Sequence, residues 1–157
     1  MPNWYCGDLK VRGKQENIKD FLLHGLLPKE DNDFILSKPI LLINECETRI
    51  TMEASHFYIC DTTRHFIKSN LIDVWWLNNK FKDEIIILKD FAAAWEVNAN
   101  ELASISKRYN IDFKIHTFEK GMQFNQKVEI INGTIIKDKK IQFKDYYWDC
   151  IRPHIGG

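Results

Sequence analysis

Apolar and basic residues alternate through Leu9-Lys10-Val11-Arg12 and then meet Gly13, which predicts a half-buried strand and a turn. Ile18, Phe21, Leu22 and Gly25 follow at helical spacing, with Glu16, Lys19 and Asp20 elsewhere on the wheel. That predicts an amphipathic helix stopped by Gly25 and Pro28. Lys29-Glu30-Asp31-Asn32-Asp33 reads as a polar connector. Between there and about Lys80 the pattern weakens. Pro39 to Ile43 is apolar but short, Glu45 to Glu53 is charged, and His56 to Cys60 and His65 to Ile67 look like strand pieces. Leu71 to Leu77 fits a strand or a short helix. This middle is expected to supply one strand plus an insertion.

Beyond Phe81 the periodicity sharpens. Ile85 to Leu88 is a mostly β-branched run of strand length between Asp83 and Asp90, and it leads into Phe91-Ala92-Ala93-Ala94-Trp95. Three alanines ending at a tryptophan leave room for another element or a ligand to approach the indole. Asn98 and Glu101 have capping-box spacing, Leu102, Ile105 and Tyr109 mark a buried helix face, and Asn110 suits a left-handed helix end. Asp112 to Phe118 reads as a strand, Gly121 as a turn and Val128 to Ile131 as a further strand. Asn132-Gly133 is a strong hairpin signal. The order predicts one α+β domain over residues 1–157 with a ferredoxin-like β-α-β-β-α-β core. Residues 29–80 would be an insertion after the first helix, and residues 122–144 an added C-terminal hairpin.

Composition narrows the classes. Lys+Arg and Asp+Glu both number 22, so a whole-surface electrostatic grip on nucleic acid is not expected, although a local basic patch survives that argument. No apolar run approaches the length of a membrane span, and Met1-Pro2-Asn3-Trp4 lacks the basic and apolar regions of a secretory leader. The four scattered cysteines are therefore expected to be reduced thiols in the cytoplasm.

Each chemical constellation competes with a plainer explanation. His56 with Cys60 and Cys150 with His154 offer zinc-type ligands, but their spacing matches no recognised knuckle, so no metal or cofactor is expected. Cys60 or Cys150 paired with His56, His65 or His154 lacks any local device that would activate a thiolate. Glu119 beside Phe118, and Asp112 on the same strand, suggest acid-base work or an ordinary turn carboxylate. Phe113, Phe118 and Phe124 could stack bases, yet no basic-aromatic signature surrounds them. Lys137, Lys139, Lys140 and Lys144 read as a solvated sheet edge. Nucleic acid is accordingly not the expected partner, and Gly156-Gly157 reads as a flexible terminus. The aromatic excess (Trp75-Trp76, Trp95 and Tyr146-Tyr147-Trp148) points towards an interaction surface, with the last cluster exposed.

Met1-Pro2-Asn3-Trp4, the Ala94-Trp95 step, and Phe118-Glu119-Lys120-Gly121 with Phe124 beyond resemble the YubB-like ferredoxin-like domain family of plasmid- and phage-borne proteins. The likeness covers the start of the chain and residues 84–133. Tyr5-Cys6 stands where the family has a cysteine, and Glu96-Val97-Asn98 where it has prolines. The resemblance implies a mobile-element accessory protein of unassigned activity. The expected function is a non-enzymatic protein-binding module acting on a host protein, with an inhibitor of a defence system such as CRISPR as one form. The binding residues would be Trp95, Glu119, Phe124, Tyr147 and Trp148. The alternative is a small enzyme or ligand-binding domain using the cleft near Trp95 and Glu119.

Overall fold

The computed structural model describes residues 2–29, 40–78 and 81–157. Its long central strand is β1 (Trp4–Gly13), where buried positions alternate with exposed ones. A short helix α1 (Gln15–Asp20) runs into a π-helical turn over Phe21–Gly25 and then into β2 (Leu26–Lys29). Strands β3 (Leu42–Cys46), β4 (Arg49–Glu53), β5 (His56–Ile59), β6 (His65–Ile67) and β7 (Leu71–Trp75) follow. After them come β8 (Glu84–Ala94), α2 (Ala99–Tyr109), β9 (Asp112–Glu119), β10 (Phe124–Ile131), β11 (Thr134–Gln142) and the single-turn α3 (Tyr146–Asp149).

The strands form two sheets. The larger has the order β11-β10-β9-β1-β8-β6-β5-β2 and the smaller β3-β4-β7, with antiparallel pairing throughout. The core lies on one face of the large sheet. There Leu9, Val11, Leu88, Phe113, Ile115 and Val128 join Ile18 and Phe21 of the α1 segment, Leu102 and Ile105 of α2, and Ile50, Met52, Ile72 and Val74 of the small sheet. The opposite face of the large sheet is partly covered by the C-terminal segment, through Phe118, Tyr146 and Cys150.

This architecture corrects the expected ferredoxin-like fold. Half of the described residues are strand and 18% are helix, and eleven strands build a large antiparallel sheet with a second, three-stranded one. The middle of the chain supplies most of the difference. Instead of one strand and an insertion, β5 and β6 widen the large sheet and β3, β4 and β7 make the second sheet. Their buried residues come in pairs, such as Ile50 with Met52 and Phe57 with Ile59, too short a period for the pattern to declare itself. The 122–144 segment forms the β10–β11 hairpin, which extends the large sheet at its edge through the pairing of β10 with β9. Pro28, expected to stop a helix, sits in β2 at the sheet edge, where its missing N–H is tolerated. Leu71–Trp75 resolves as strand. The connector beyond Lys29 and the Pro39 end of the Pro39–Ile43 run lie outside the described residues.

The C-terminus is docked rather than free, since the Gly157 N–H donates to the Trp4 carbonyl at 3.0 Å. No helix among the described residues is long and apolar enough to cross a membrane.

Candidate functional site

The last turn of β8 explains its three alanines. Ala93 lies between Tyr5 on β1 and His65 on β6, while Ala92 lies between Cys6 and Phe66 and Ala94 opposite Trp4. Small side chains in the middle strand accommodate large ones on its neighbours, and Trp4 meets Phe66 edge-on at 5.9 Å. Of the two occupants the small side chains allow for, another element or a ligand, the room beside Ala92 to Ala94 is taken by residues of the neighbouring strands.

Trp95 comes next, and its backbone is left-handed at φ 73°. For a bulky residue that conformation costs roughly 1–2 kcal/mol and persists only where the surroundings over-determine it. Here they do. The Trp95 N–H donates to the Asn3 carbonyl at 2.9 Å. Two residues on, Val97 exchanges hydrogen bonds with the buried Gln126 side chain, at 2.9 Å from its N–H and 3.0 Å to its carbonyl. Glu96 pairs with Lys140 on β11. Asn98 caps α2 by accepting from the Asn100 and Glu101 N–H groups, while its own N–H donates to His65 Nε2 at 3.0 Å. The turn is therefore fastened to Asn3 at the entry to β1 and to β6, β10 and β11, yet the Trp95 residue is 57% exposed.

Glu101 departs from the capping box. It reaches across to the loop before β6, where its carboxylate accepts from the Thr63 N–H at 2.8 Å and hydroxyl at 2.7 Å. His65 is buried beside this contact, with Nδ1 3.0 Å from the Thr63 carbonyl, so Nδ1 carries the proton and Nε2 accepts. Burial lowers its pKa, against smaller raising effects of Glu101 and the Thr63 hydrogen bond. A depressed folded pKa means that the unfolded chain takes up the proton first. The stabilisation is complete above the ordinary value of about 6.5 and is lost as pH falls from there through the folded value. Urea midpoints should drop as the pH falls below about 6.5, and His65→Gln should flatten that part of the profile. An unchanged slope in the variant would remove His65 as its source.

The other sequence-derived candidates divide between the two ends of this picture. Glu119 and Phe124 stand directly opposite each other on β9 and β10. Phe124 is half-buried, with its ring edge-on to Tyr5 at 5.2 Å. Glu119 is fully buried, and its two oxygens accept from the Gly121 and Met122 N–H groups of the turn that follows. Its carboxylate thus serves the turn rather than a groove. Burial, then the charges of Glu119 and Glu96, push the Tyr5 hydroxyl up to about 12, so it stays protonated. Tyr147 and Trp148, 54% and 85% exposed, belong to α3 on the opposite face of the sheet, apart from the Trp95 turn. Tyr146, expected to be exposed with them, is buried and donates to Asn125 Oδ1 at 3.2 Å.

The paired cysteines and histidines do not converge. The Cys60 thiol donates to the His24 carbonyl, while His56 packs against Phe66. Cys150 faces Asn125, while His154 lies against Tyr147. Burial pushes the Cys6 and Cys60 thiols up, away from a reactive thiolate. Among the described residues no group of three or more His, Cys, Asp or Glu is arranged to hold a metal ion. Asp112 pairs with Arg12 and accepts from the Asn132 N–H, which fixes the β10–β11 hairpin turn.

Sequence reasoning weighed His65 only as the base of a thiolate pair, not as the acceptor behind the Asn98 cap, and it missed Gln126. A signal for the second existed, because the alternation Phe124, Gln126, Val128, Ile130 puts a glutamine on the core face. Compared with known proteins, the chain matches no family model, no curated protein and no solved structure.

Proposed function

We propose that this chain is a non-enzymatic protein-binding module that presents Trp95 as its anchor. The observation that carries the reading is a tryptophan 57% exposed in a left-handed backbone that Asn3 and three strands hold in place. Tryptophan is enriched among the few residues that dominate interface energy, and a pre-ordered anchor loses little entropy on binding. The commitment of Glu119 to its own turn favours a binder over an enzyme or small-ligand site built on that carboxylate. The resemblance to mobile-element proteins supplies the target class: a cytoplasmic host protein, with a defence component such as a CRISPR effector as the first to test.

Affinity capture from lysate of the host, after nuclease treatment, tests this. The wild type should retain a stoichiometric protein, and Trp95→Ala should weaken that complex by at least about 30-fold while keeping the wild-type circular dichroism spectrum. Equal retention by the folded variant would take Trp95 out of the interface.

A further inference from the structure

The face of the large sheet turned away from the core carries charge in an arrangement that opposes folding. Lys10 on β1 is directly opposite Lys114 on β9, and Lys127 on β10 is directly opposite Lys139 on β11. Side chains so placed have Cβ atoms about 4.5–5.5 Å apart, where like charges destabilise the sheet. Three acids on this face are already engaged: Asp112 with Arg12 at 2.6 Å, Glu129 with Lys114 at 3.6 Å and Asp8 with Arg152 at 3.8 Å. Among the described residues, Lys10, Lys127 and Lys139 have no acidic partner. In a chain of zero net charge, this concentration of uncompensated lysine on one flat face calls for an anion.

The C-terminal segment turns part of that face into a cleft. With Tyr146 and Cys150 seated beside Phe118, the chain after α3 returns across the sheet as far as Arg152 and its partner Asp8. Between segment and sheet lies a space of about 310 Å³, with Asp8, Lys10, Lys114, His116 and Phe118 from the sheet, and Ile151 and Arg152 from the segment, Asp8 being held by Arg152. The volume lies at the lower end of the range of small-ligand pockets, roughly 300–1,000 Å³. His116 reports the local field, because burial first and then Lys127 and Arg152 lower its pKa and favour the neutral ring. Ile151, which lines the cleft, and Trp148, three residues before it in the chain, are 82% and 85% exposed and offer apolar surface on the same C-terminal segment.

We propose that this cleft, together with the Lys127–Lys139 row beyond it, binds single-stranded nucleic acid. The opposed lysines would meet phosphates, and Trp148 with Ile151 would meet unpaired bases. Four strands at about 4.8 Å spacing make the cationic face roughly 14 Å wide, longer than one nucleotide monophosphate needs. An aromatic ring receives bases only from an unstacked strand, which favours single-stranded over duplex nucleic acid. An acidic peptide would answer the lysines but would leave the tryptophan without a role. The proposal is independent of the Trp95 anchor, which belongs to a different part of the sheet.

Fluorescence anisotropy with a labelled thymidine oligonucleotide of about 12 residues is the test. The wild type should bind it, with log affinity falling linearly against log salt. The double substitution Lys10→Gln/Lys127→Gln should weaken binding at least about tenfold and reduce that slope by about 1.4, the share of two phosphate contacts. Because each substitution relieves a like-charge pair, the variant should melt no lower than the wild type. Trp148→Phe should lose most of the tryptophan quenching that accompanies binding, and Trp95→Ala should bind the oligonucleotide as the wild type does. The proposal is overturned if the oligonucleotide fails to bind at low salt, or if binding ignores the lysine substitutions. Equally tight binding of thymidine monophosphate, of a duplex of the same length or of a glutamate-rich peptide would also overturn it, and would name the actual ligand class.

Discussion

Replacing Phe21 by alanine is expected to cost about 3–5 kcal/mol of folding stability, the range for emptying a large aromatic site in a core. Phe21 is fully buried in the π-helical turn between α1 and β2. Its ring meets Tyr109 of α2 edge-on at 5.6 Å and Phe113 of β9 at 5.5 Å, so one side chain joins the first helical segment, the second helix and the sheet. Gly25 fits the same arrangement, since a Cβ there would lie 2.5 Å from the Phe21 ring. Alanine would open a cavity among three elements that cannot close on it together. Urea denaturation should show a lower midpoint with an unchanged dependence on denaturant, and Phe21→Leu should recover a large part of the loss. A cost below about 1 kcal/mol would mean that the α1 segment does not pack as described.

Gly7→Ala should cost about 3 kcal/mol or more, a large penalty for one methyl group. A Cβ at Gly7 would stand 2.2 Å from the His116 carbonyl oxygen and 3.1 Å from its carbonyl carbon, both backbone atoms of β9. No rotamer change relieves such a contact. Either β1 or β9 must move, and β1 is hydrogen-bonded on both sides, to β8 and β9. The register irregularity between Gly7 and Leu9 lies on the other side of β1, in its pairing with β8, while the β1–β9 register runs unbroken through Gly7. Thermal unfolding of the purified variant checks the size of the effect. A midpoint close to wild type would show that the two strands do not approach so closely.

Strong local patterns translated well from sequence into structure. The Asn98 cap, the Leu102 and Ile105 face, and the left-handed Asn110 at φ 52° define α2 as expected. Asn132 and Gly133, both at positive φ, make the hairpin turn between β10 and β11. The overall architecture was less legible because β2 to β7 are short strands, and the pairings that join them into sheets, β2 with β5, β4 with β7 and β6 with β8, link residues far apart in sequence. Leu26 pairs with Ile59, and His65 with Ala93, only because the sheet assembles around them. The site divides the same way. An excess of tryptophan singled out Trp95, but its left-handed backbone and its ties to Gln126 and His65 depend on tertiary neighbours. Glu119 beside a glycine reads equally as a reactive carboxylate or a turn acceptor, and burial with two amide donors decides for the turn. The facing lysines need the register of β1 with β9 and of β10 with β11, which no run of residues displays. Of the four, only Lys139 belongs to the Lys137 to Lys144 stretch, which by itself reads as an ordinary solvated edge.

Trp95→Gly brings stability and binding into a single comparison. Glycine adopts φ 73° without the steric cost that tryptophan bears, and it keeps the N–H that donates to Asn3. Unfolding should therefore stay within about 1 kcal/mol of wild type or above it, while the partner captured by the wild type is lost. A sharp fall in stability with the partner still bound would contradict the central claim, and would make Trp95 a structural residue rather than the anchor of an interface.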